Sequence, residues 1–419
     1  LNRILVGDAL EQLRTLPDEC VQCVVTSPPY WGLRDYGVAG QIGLETSPAE
    51  YIGRMVEVFR EVRRVLRDDG TIWVNMGDCY ATGAGAVGDC PGGGEQGERW
   101  KERGPCRKQV PDRKNPNAGV PTYQPNRMPI EGLKPKDLVG MPWRLAFALQ
   151  ADGWYLRSDN IWHKPNPMPE SVTDRPTKAH EYVFLLSKSE RYFYDAEAIK
   201  EPQEEGERTT RLRQMARGLT SKPYTIARDV LQTQPPQGKT GAARNLEARY
   251  RLALLGTRNR RTVWTITTKP FPEAHFATFP EEIPAICIGA GTSERGACSH
   301  CGAPLSRVLE VSKGRPERGT GKGNPGIDEA AQRTKRLNGQ ELADWKAENP
   351  NRTVGWVPTC KHSAGVGRCV VLDPFMGAGT TALVALKAGR DFIGVELNPE
   401  YAQLARERIE SELVQGRLA

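Results

Sequence analysis

The spacing of apolar residues is regular at both ends of this chain and breaks down in three stretches between them. Residues 2–6 read as a strand, 8–16 as a helix, and Cys20–Val25 as an apolar run of strand length. Asp8 with Glu11, and Ser47 with Glu50, have capping-box spacing. The second pair precedes a helical period from Tyr51 to Leu66. Gly70 is expected to stop that helix, and Thr71–Met76 to form a buried strand. A helix is expected near 136–150 and strands near 154–163 and 181–187. Near the end, Arg368–Leu372 and Asp391–Val395 read as strands, and Ala382–Ala388 and Pro399–Leu413 as helices. Strands alternating with helices imply an α/β fold on a mostly parallel sheet. The pattern fails in a Gly- and Pro-rich stretch at 83–130, in a basic stretch at 195–262, and in a polar, Gly-rich stretch at 312–356. The first and last read as flexible insertions.

The chain has 419 residues, more than one compact core usually organises, and 38% of them are hydrophobic. No apolar run reaches the roughly 20 residues of a membrane helix, and the first residues carry no signal-peptide pattern. Ten cysteines in so long a chain do not suggest a secreted disulfide framework, so reduced thiols and a cytoplasmic location are expected. The net charge of +7 is modest, but its distribution is uneven: residues 208–261 hold thirteen Lys or Arg and two acids, Asp229 and Glu247. Such a stretch is either a solvated loop or a surface for nucleic-acid phosphates.

Two short motifs carry the candidate chemistry. The Cys20–Val25 run stops on Ser27-Pro28-Pro29-Tyr30. Two prolines cannot continue a sheet ladder, because neither has an N–H, and they hold the backbone stiff. The corner presents a hydroxyl (Ser27), a rigidly placed carbonyl (Pro28) and an aromatic face (Tyr30), with Trp31 beside it. Those groups could grip a flat, polar object. The second motif is Asp373-Pro-Phe-Met-Gly377-Ala-Gly379-Thr380-Thr381, between a strand and a helix. Its glycines let backbone approach a ligand, and Glu396 ends the next strand, where an acid commonly takes ribose hydroxyls. A nucleoside-containing cofactor is expected. Asp373 would repel a pyrophosphate but suits the ammonium of a methionine moiety.

Together, Thr26-Ser-Pro-Pro-Tyr30 and the Asp373–Thr381 loop, in that order, resemble the β class of S-adenosylmethionine-dependent DNA amino-methyltransferases. The resemblance extends to Trp162-His163-Lys164, to His180-Glu181-Tyr182, and to His275-Phe276-Ala-Thr-Phe-Pro280. It implies a circularly permuted, Rossmann-like methyltransferase fold carrying a basic target-recognition region. It further implies catalysis by Ser27, Pro28, Pro29 and Tyr30 on a flipped-out base of double-stranded DNA. Cofactor contacts are implied for Asp8, Thr26, His275, Phe276, Asp373, Phe375, Gly377, Gly379, Thr380, Thr381, Glu396 and Asn398. Asp8 and His275 also have purely structural readings, as a helix cap and as a packing residue, and His163 and His180 read as structural. The family often carries Ser at the first corner position when cytosine N4 is the target and Asp or Asn when adenine N6 is, so Ser27 favours cytosine N4. C5-cytosine chemistry would need a Pro-Cys nucleophile, and the pair at Pro105-Cys106 lies in an insertion with no strand before it. RNA or protein-amide methylation, or a non-enzymatic zinc-containing nucleic-acid-binding protein, are the other readings. A homodimer and a cognate restriction nuclease are possible partners under the resemblance, and no membrane is.

Outside those motifs, Cys298-Ser-His-Cys301-Gly is a knuckle of two thiols on a tight turn, and Cys360-Lys-His362 is a second pair. Four such ligands suit a tetrahedral structural zinc, with Cys369 as a spare candidate. The expected division is 1–82, 131–194, 263–297 and 370–419 for the methyltransferase domain. Residues 83–130 form an insertion, 195–262 the target-recognition region, and 298–369 a small zinc-binding insertion with a flexible loop.

Overall fold

The computed structural model describes residues 2–33, 38–81, 130–202, 257–268, 279–310 and 352–414. The 83–130 insertion apart from Ile130, most of the basic 195–262 stretch, the Pro105-Cys106 pair, His275, Phe276 and most of 312–356 lie outside those residues.

Two compact units emerge, one of residues 1–195, 261–305 and 358–419, the other of 196–260 and 306–357. The first is built on an eight-stranded sheet in the order β1-β14-β13-β2-β3-β5-β4-β8. These strands are Arg3–Val6 (β1), Val21–Thr26 (β2), Leu66–Met76 (β3), Tyr155–His163 (β4), His180–Ser187 (β5), Val263–Thr265 (β8), Val370–Asp373 (β13) and Asp391–Glu396 (β14). Neighbours from β1 through β3 are parallel, and β5 runs antiparallel to both β3 and β4. The strand carrying the glycine loop, β13, is late in the chain but lies directly beside β2. That adjacency sets the Pro-Pro corner and the glycine loop side by side at the carboxyl edge of the sheet, where open α/β sheets bind ligands.

The helices are Ala9–Arg14 (α1), Pro48–Val65 (α2), Met141–Ala151 (α3), Glu282–Gly291 (α4), Thr380–Lys387 (α5) and Pro399–Val414 (α6). In α2 the apolar stripe of Tyr51, Met55, Val58, Phe59, Val62 and Val65 is buried in the core. Each large side chain so buried contributes about 1.5–3 kcal/mol. Ser47 caps α2 by accepting from the Glu50 N–H, while the Glu50 carboxylate reaches back to Thr46 rather than to Ser47.

Two of the boundaries that differ from expectation have a cause elsewhere in the fold. Gly70 does not stop α2. The helix ends at Val65, Leu66 turns extended, and β3 begins at once; the β2–β3 register then jumps from Val21↔Leu66 to Cys23↔Thr71, so Arg67–Gly70 form an irregularity within the strand. The helix expected from residue 136 starts at Met141. Its first amides find an acceptor only there, because the Asp78 carboxylate accepts from the N–H groups of Gly140 and Met141.

In the second unit, Glu201–Pro202 (β6) pairs with Thr257–Arg258 (β7), and Arg258 bridges to Glu201 at 2.7 Å. Leu305–Glu310 (β10) pairs with Arg352–Pro358 (β11), all but Leu305 and Pro358 lying in this unit, and the Arg307 guanidinium lies over the Trp356 ring at 4.4 Å.

Candidate active site

Strand β2 is buried along its whole length and delivers Ser27 at its end. The corner that follows is bolted to the core. The Tyr51 hydroxyl donates to the Pro29 carbonyl at 2.8 Å. Trp31 is buried with its indole N–H donating to the Glu45 carbonyl, so it is a core anchor under the corner. Among the described residues no hydrogen bond reaches the Pro28 carbonyl. A rigid, free acceptor therefore stands next to the Ser27 hydroxyl.

A polar network surrounds that hydroxyl. Tyr30 donates its O–H to the Glu181 carboxylate at 2.7 Å. Ser27 lies 3.5 Å from the Tyr30 oxygen, in donating geometry. Asn75 on β3 directs its amide N–H₂ at Ser27, Tyr30 and Glu181, at 3.4, 3.0 and 3.0 Å. The Lys164 ammonium pairs with the other Glu181 oxygen and lies over the Trp162 ring at 4.3 Å. Burial, reinforced by the Glu181 charge, pushes the Tyr30 phenol well above its ordinary range, so it stays protonated. Gly77 makes room for the ring, since a Cβ there would meet Tyr30 Cε2 at 2.8 Å. The Asn75 carbonyl oxygen is buried without a hydrogen-bond partner among the described residues, a costly condition.

The glycine loop is tied to the corner. The Asp373 carboxylate is buried and accepts from the Thr26 hydroxyl (2.7 Å), the Thr381 hydroxyl (2.7 Å) and the Phe375 N–H (3.1 Å). Burial raises its pKa to about 6 against those three stabilising donors. Glu396 accepts from the N–H groups of Gly377 (2.8 Å) and Asn398 (2.9 Å), and burial raises its pKa as well. Gly379 holds φ at +78° as the N-cap of α5, a conformation few residues but glycine adopt. Arg408 braces the start of α5 through the Thr380 hydroxyl and the Ala378 carbonyl. The Asn398 side chain accepts from the Glu400 N–H. Phe375 is half-buried against the core.

Asp8 caps α1 by accepting from the Glu11 N–H at 3.1 Å, and the preceding Gly7 N–H donates to the Glu396 carbonyl. The acid thus sits at the same edge as the glycine loop. His163 faces the Thr265 hydroxyl and His180 packs edge-on against Tyr182. Cys298, Cys301, Cys360 and His362 come together, whereas the spare candidate Cys369 does not join them: it is buried at the start of β13 with its thiol toward the Ser293 carbonyl. Sequence reasoning missed Asn75. Its signal was a lone amide in the apolar run Thr71–Met76, since a polar side chain in a buried strand needs partners.

A model of a DNA methylase family, the N6/N4 methyltransferases, matches residues 21–298 and 367–407. The Type II methyltransferase M.Cfr9I of Citrobacter freundii is 38% identical over 97% of this chain and 87% of its own length. The Type II methyltransferase M.SmaI of Serratia marcescens is 38% identical over 97% of this chain and 90% of its own. Among solved structures, the cytosine-N4-specific PvuII DNA methyltransferase aligns with a TM-score of 0.44 at 16% identity, covering 100% of this chain and 92% of that one. No helix among the described residues is long and apolar enough to cross a membrane.

Proposed function

The chain belongs to the N6/N4 DNA methylase family, and from that premise we propose that it transfers a methyl group from S-adenosylmethionine to the exocyclic amine of a base flipped out of double-stranded DNA, cytosine N4 being favoured and adenine N6 the alternative. The observation that carries this reading is the corner: a free Pro28 carbonyl and the Ser27 hydroxyl on one rigid element, bonded through Thr26 to the glycine loop.

An exocyclic amine is a poor nucleophile while its lone pair is delocalised into the ring. Two acceptors fixed beside it draw its hydrogens out of the ring plane and localise that pair, so catalysis is largely positioning. S-adenosylmethionine supplies a methyl carbon on a sulfonium. As the amine nitrogen bonds to that carbon, the carbon–sulfur bond breaks, and the nitrogen must then release a proton. The route available is Ser27, then Tyr30, then the Glu181 carboxylate, each hydroxyl donating toward the next acceptor. Asn75 holds Ser27, Tyr30 and Glu181 in register, and Lys164 balances the Glu181 charge. A base inside a duplex cannot reach this corner, so it is taken out of the stack, and the Tyr30 ring offers it a face.

The residues at the glycine loop fit the cofactor. Glu396 stands where ribose hydroxyls are taken, and Asp373 fixes the loop and supplies a negative charge for the methionine ammonium. The basic 208–261 stretch supports duplex DNA as the partner.

The test is nucleoside mass spectrometry of duplex DNA incubated with the purified chain and isotope-labelled S-adenosylmethionine. N4-methylcytosine is expected. N6-methyladenine would overturn the base assignment, and label in RNA or protein but not in DNA would overturn the DNA reading.

A further inference from the structure

Methyl transfer needs no metal, yet the chain assembles a metal-ligand set away from the catalytic corner. We propose that Cys298, Cys301, Cys360 and His362 bind one structural zinc ion that clasps two chain segments together behind the catalytic strand. The ligand atoms all lie within 4.8 Å of one another, although 58 residues separate the two pairs. A tetrahedral zinc with Zn–S bonds of about 2.3 Å sets its ligand atoms about 3.7 Å apart, so a small inward adjustment closes the site. Three thiols and one imidazole are the donor set of a closed zinc site, which leaves no open position for chemistry.

The backbone is already arranged for it. The Gly302 N–H donates to the Cys298 carbonyl, and Gly302 holds φ at +71°, which makes the tight turn of a knuckle. The second segment is bound alongside: Ala297–Cys298 (β9) pairs antiparallel with Val366–Gly367 (β12), the Ser299 N–H donates to the Gly365 carbonyl, and the Thr359 hydroxyl donates to the Pro304 carbonyl at 2.7 Å. All four ligands belong to the first compact unit, and the chain leaves it at Leu305 and re-enters at Pro358. The ion therefore ties together the exit and return of that excursion.

The knuckle also grips the sheet. The Gln22 side chain donates to the Gly302 carbonyl and accepts from the Val370 N–H, and Arg67 donates to the Cys301 carbonyl. Gln22 lies four residues before Thr26, about 13 Å along the strand. The metal is thus coupled to the root of the catalytic strand and remote from its tip. His300, whose ring centroid is 4.4 Å from that of His362, is the competing imidazole, and the geometry gives the ligand role to His362.

The experiment uses the full chain, purified without chelators, with metal measured by plasma mass spectrometry. One zinc per chain is expected in the wild type, in Cys20→Ser and in His300→Ala, and at least a tenfold loss of bound zinc in Cys301→Ser/Cys360→Ser and in His362→Ala. Should the double variant fail to fold, cobalt(II) exchanged into the wild type gives the answer instead. Thiolate-to-cobalt charge transfer and tetrahedral d–d bands support the site, and an octahedral cobalt spectrum overturns it. Absence of zinc from the wild type, or its retention in Cys301→Ser/Cys360→Ser, overturns the proposal. Loss in His300→Ala with retention in His362→Ala overturns the His362 assignment. None of these readouts depends on methyl transfer, so failure here leaves the methylation reading standing, and the reverse also holds.

Discussion

Replacing Asp373 with Asn tests whether the carboxylate that joins the two motifs is held in the interior at an energetic cost. Its ordinary pKa is 3.8 and burial raises it to about 6. The folded chain therefore holds the proton more tightly than the unfolded chain does, and folding stability falls as pH rises from 3.8 through 6. The difference of about two pKa units corresponds to roughly 3 kcal/mol once the group is ionised in both states, of which about 1.3 kcal/mol is lost between pH 5 and pH 7. Asn has no such titration. It keeps one carbonyl oxygen to accept from Thr26 or Phe375, and Thr381 has a second acceptor in the Val25 carbonyl at 3.3 Å. The substitution thus changes stability by a pH-independent offset plus the lost titration. Glu396 is present in both chains, and its charge is the last and smallest of the contributions to the Asp373 shift, so its own titration cancels to first order. Urea unfolding of wild type and Asp373→Asn at pH 5, 6 and 7 reads the difference directly. The variant is expected to gain on the wild type by about 1.3 kcal/mol across that range, whatever its offset. A stability difference that stays constant with pH would refute the reasoning and place the Asp373 carboxylate in contact with water.

Two further outcomes bear on the site. Tyr30→Phe keeps the ring and removes the hydroxyl link to Glu181, and should lower kcat at least tenfold with cofactor affinity unchanged. Tyr30→Ala should in addition weaken DNA binding by the roughly 1–3 kcal/mol of base stacking, and full activity in it would refute the corner's role. Glu396→Ala should weaken S-adenosylmethionine binding at least tenfold, about 1.4 kcal/mol, since charge-assisted hydrogen bonds are lost. Unchanged affinity by calorimetry would remove Glu396 from the cofactor site.

The strongly patterned elements were legible in the sequence because each carries its own local cause. Pro28 and Pro29 end β2 for want of N–H groups, and Ser47 caps α2 through the Glu50 amide. The cysteine-rich cluster was legible because knuckle spacing is itself local, although its closure across 58 residues is not. What could not be read is what depends on register between distant strands. The β2–β3 irregularity that absorbs Gly70 follows from how Leu66 pairs with Val21, and α3 starts where Asp78, 63 residues earlier, can reach its first amides. For Asn75 the apolar run Thr71–Met76 signals that its amide needs partners, but not which ones. Its neighbours in sequence are apolar, and its partners come from the corner after β2 (Ser27, Tyr30) and from β5 (Glu181).

That convergence bears on why the first corner residue is a serine. Glu181 already places one carboxylate on Tyr30, at 2.7 Å, and the Ser27 oxygen is 3.5 Å from the same phenol. An aspartate at position 27 would bring a second carboxylate onto that hydrogen-bond network, with Lys164 engaged at Glu181 as the counter-charge. A second negative charge there disfavours ionisation of both carboxylates and raises their pKa values. A hydroxyl avoids that conflict. In the proposed reaction it is the acceptor for the substrate amine while it donates toward Tyr30, and it leaves the negative charge one step back, where Lys164 balances it. Under the proposed function, the neutral residue at the corner and the carboxylate behind it are therefore one arrangement, in which the acceptor for the base amine follows β2 and the group proposed to receive its proton stands on β5.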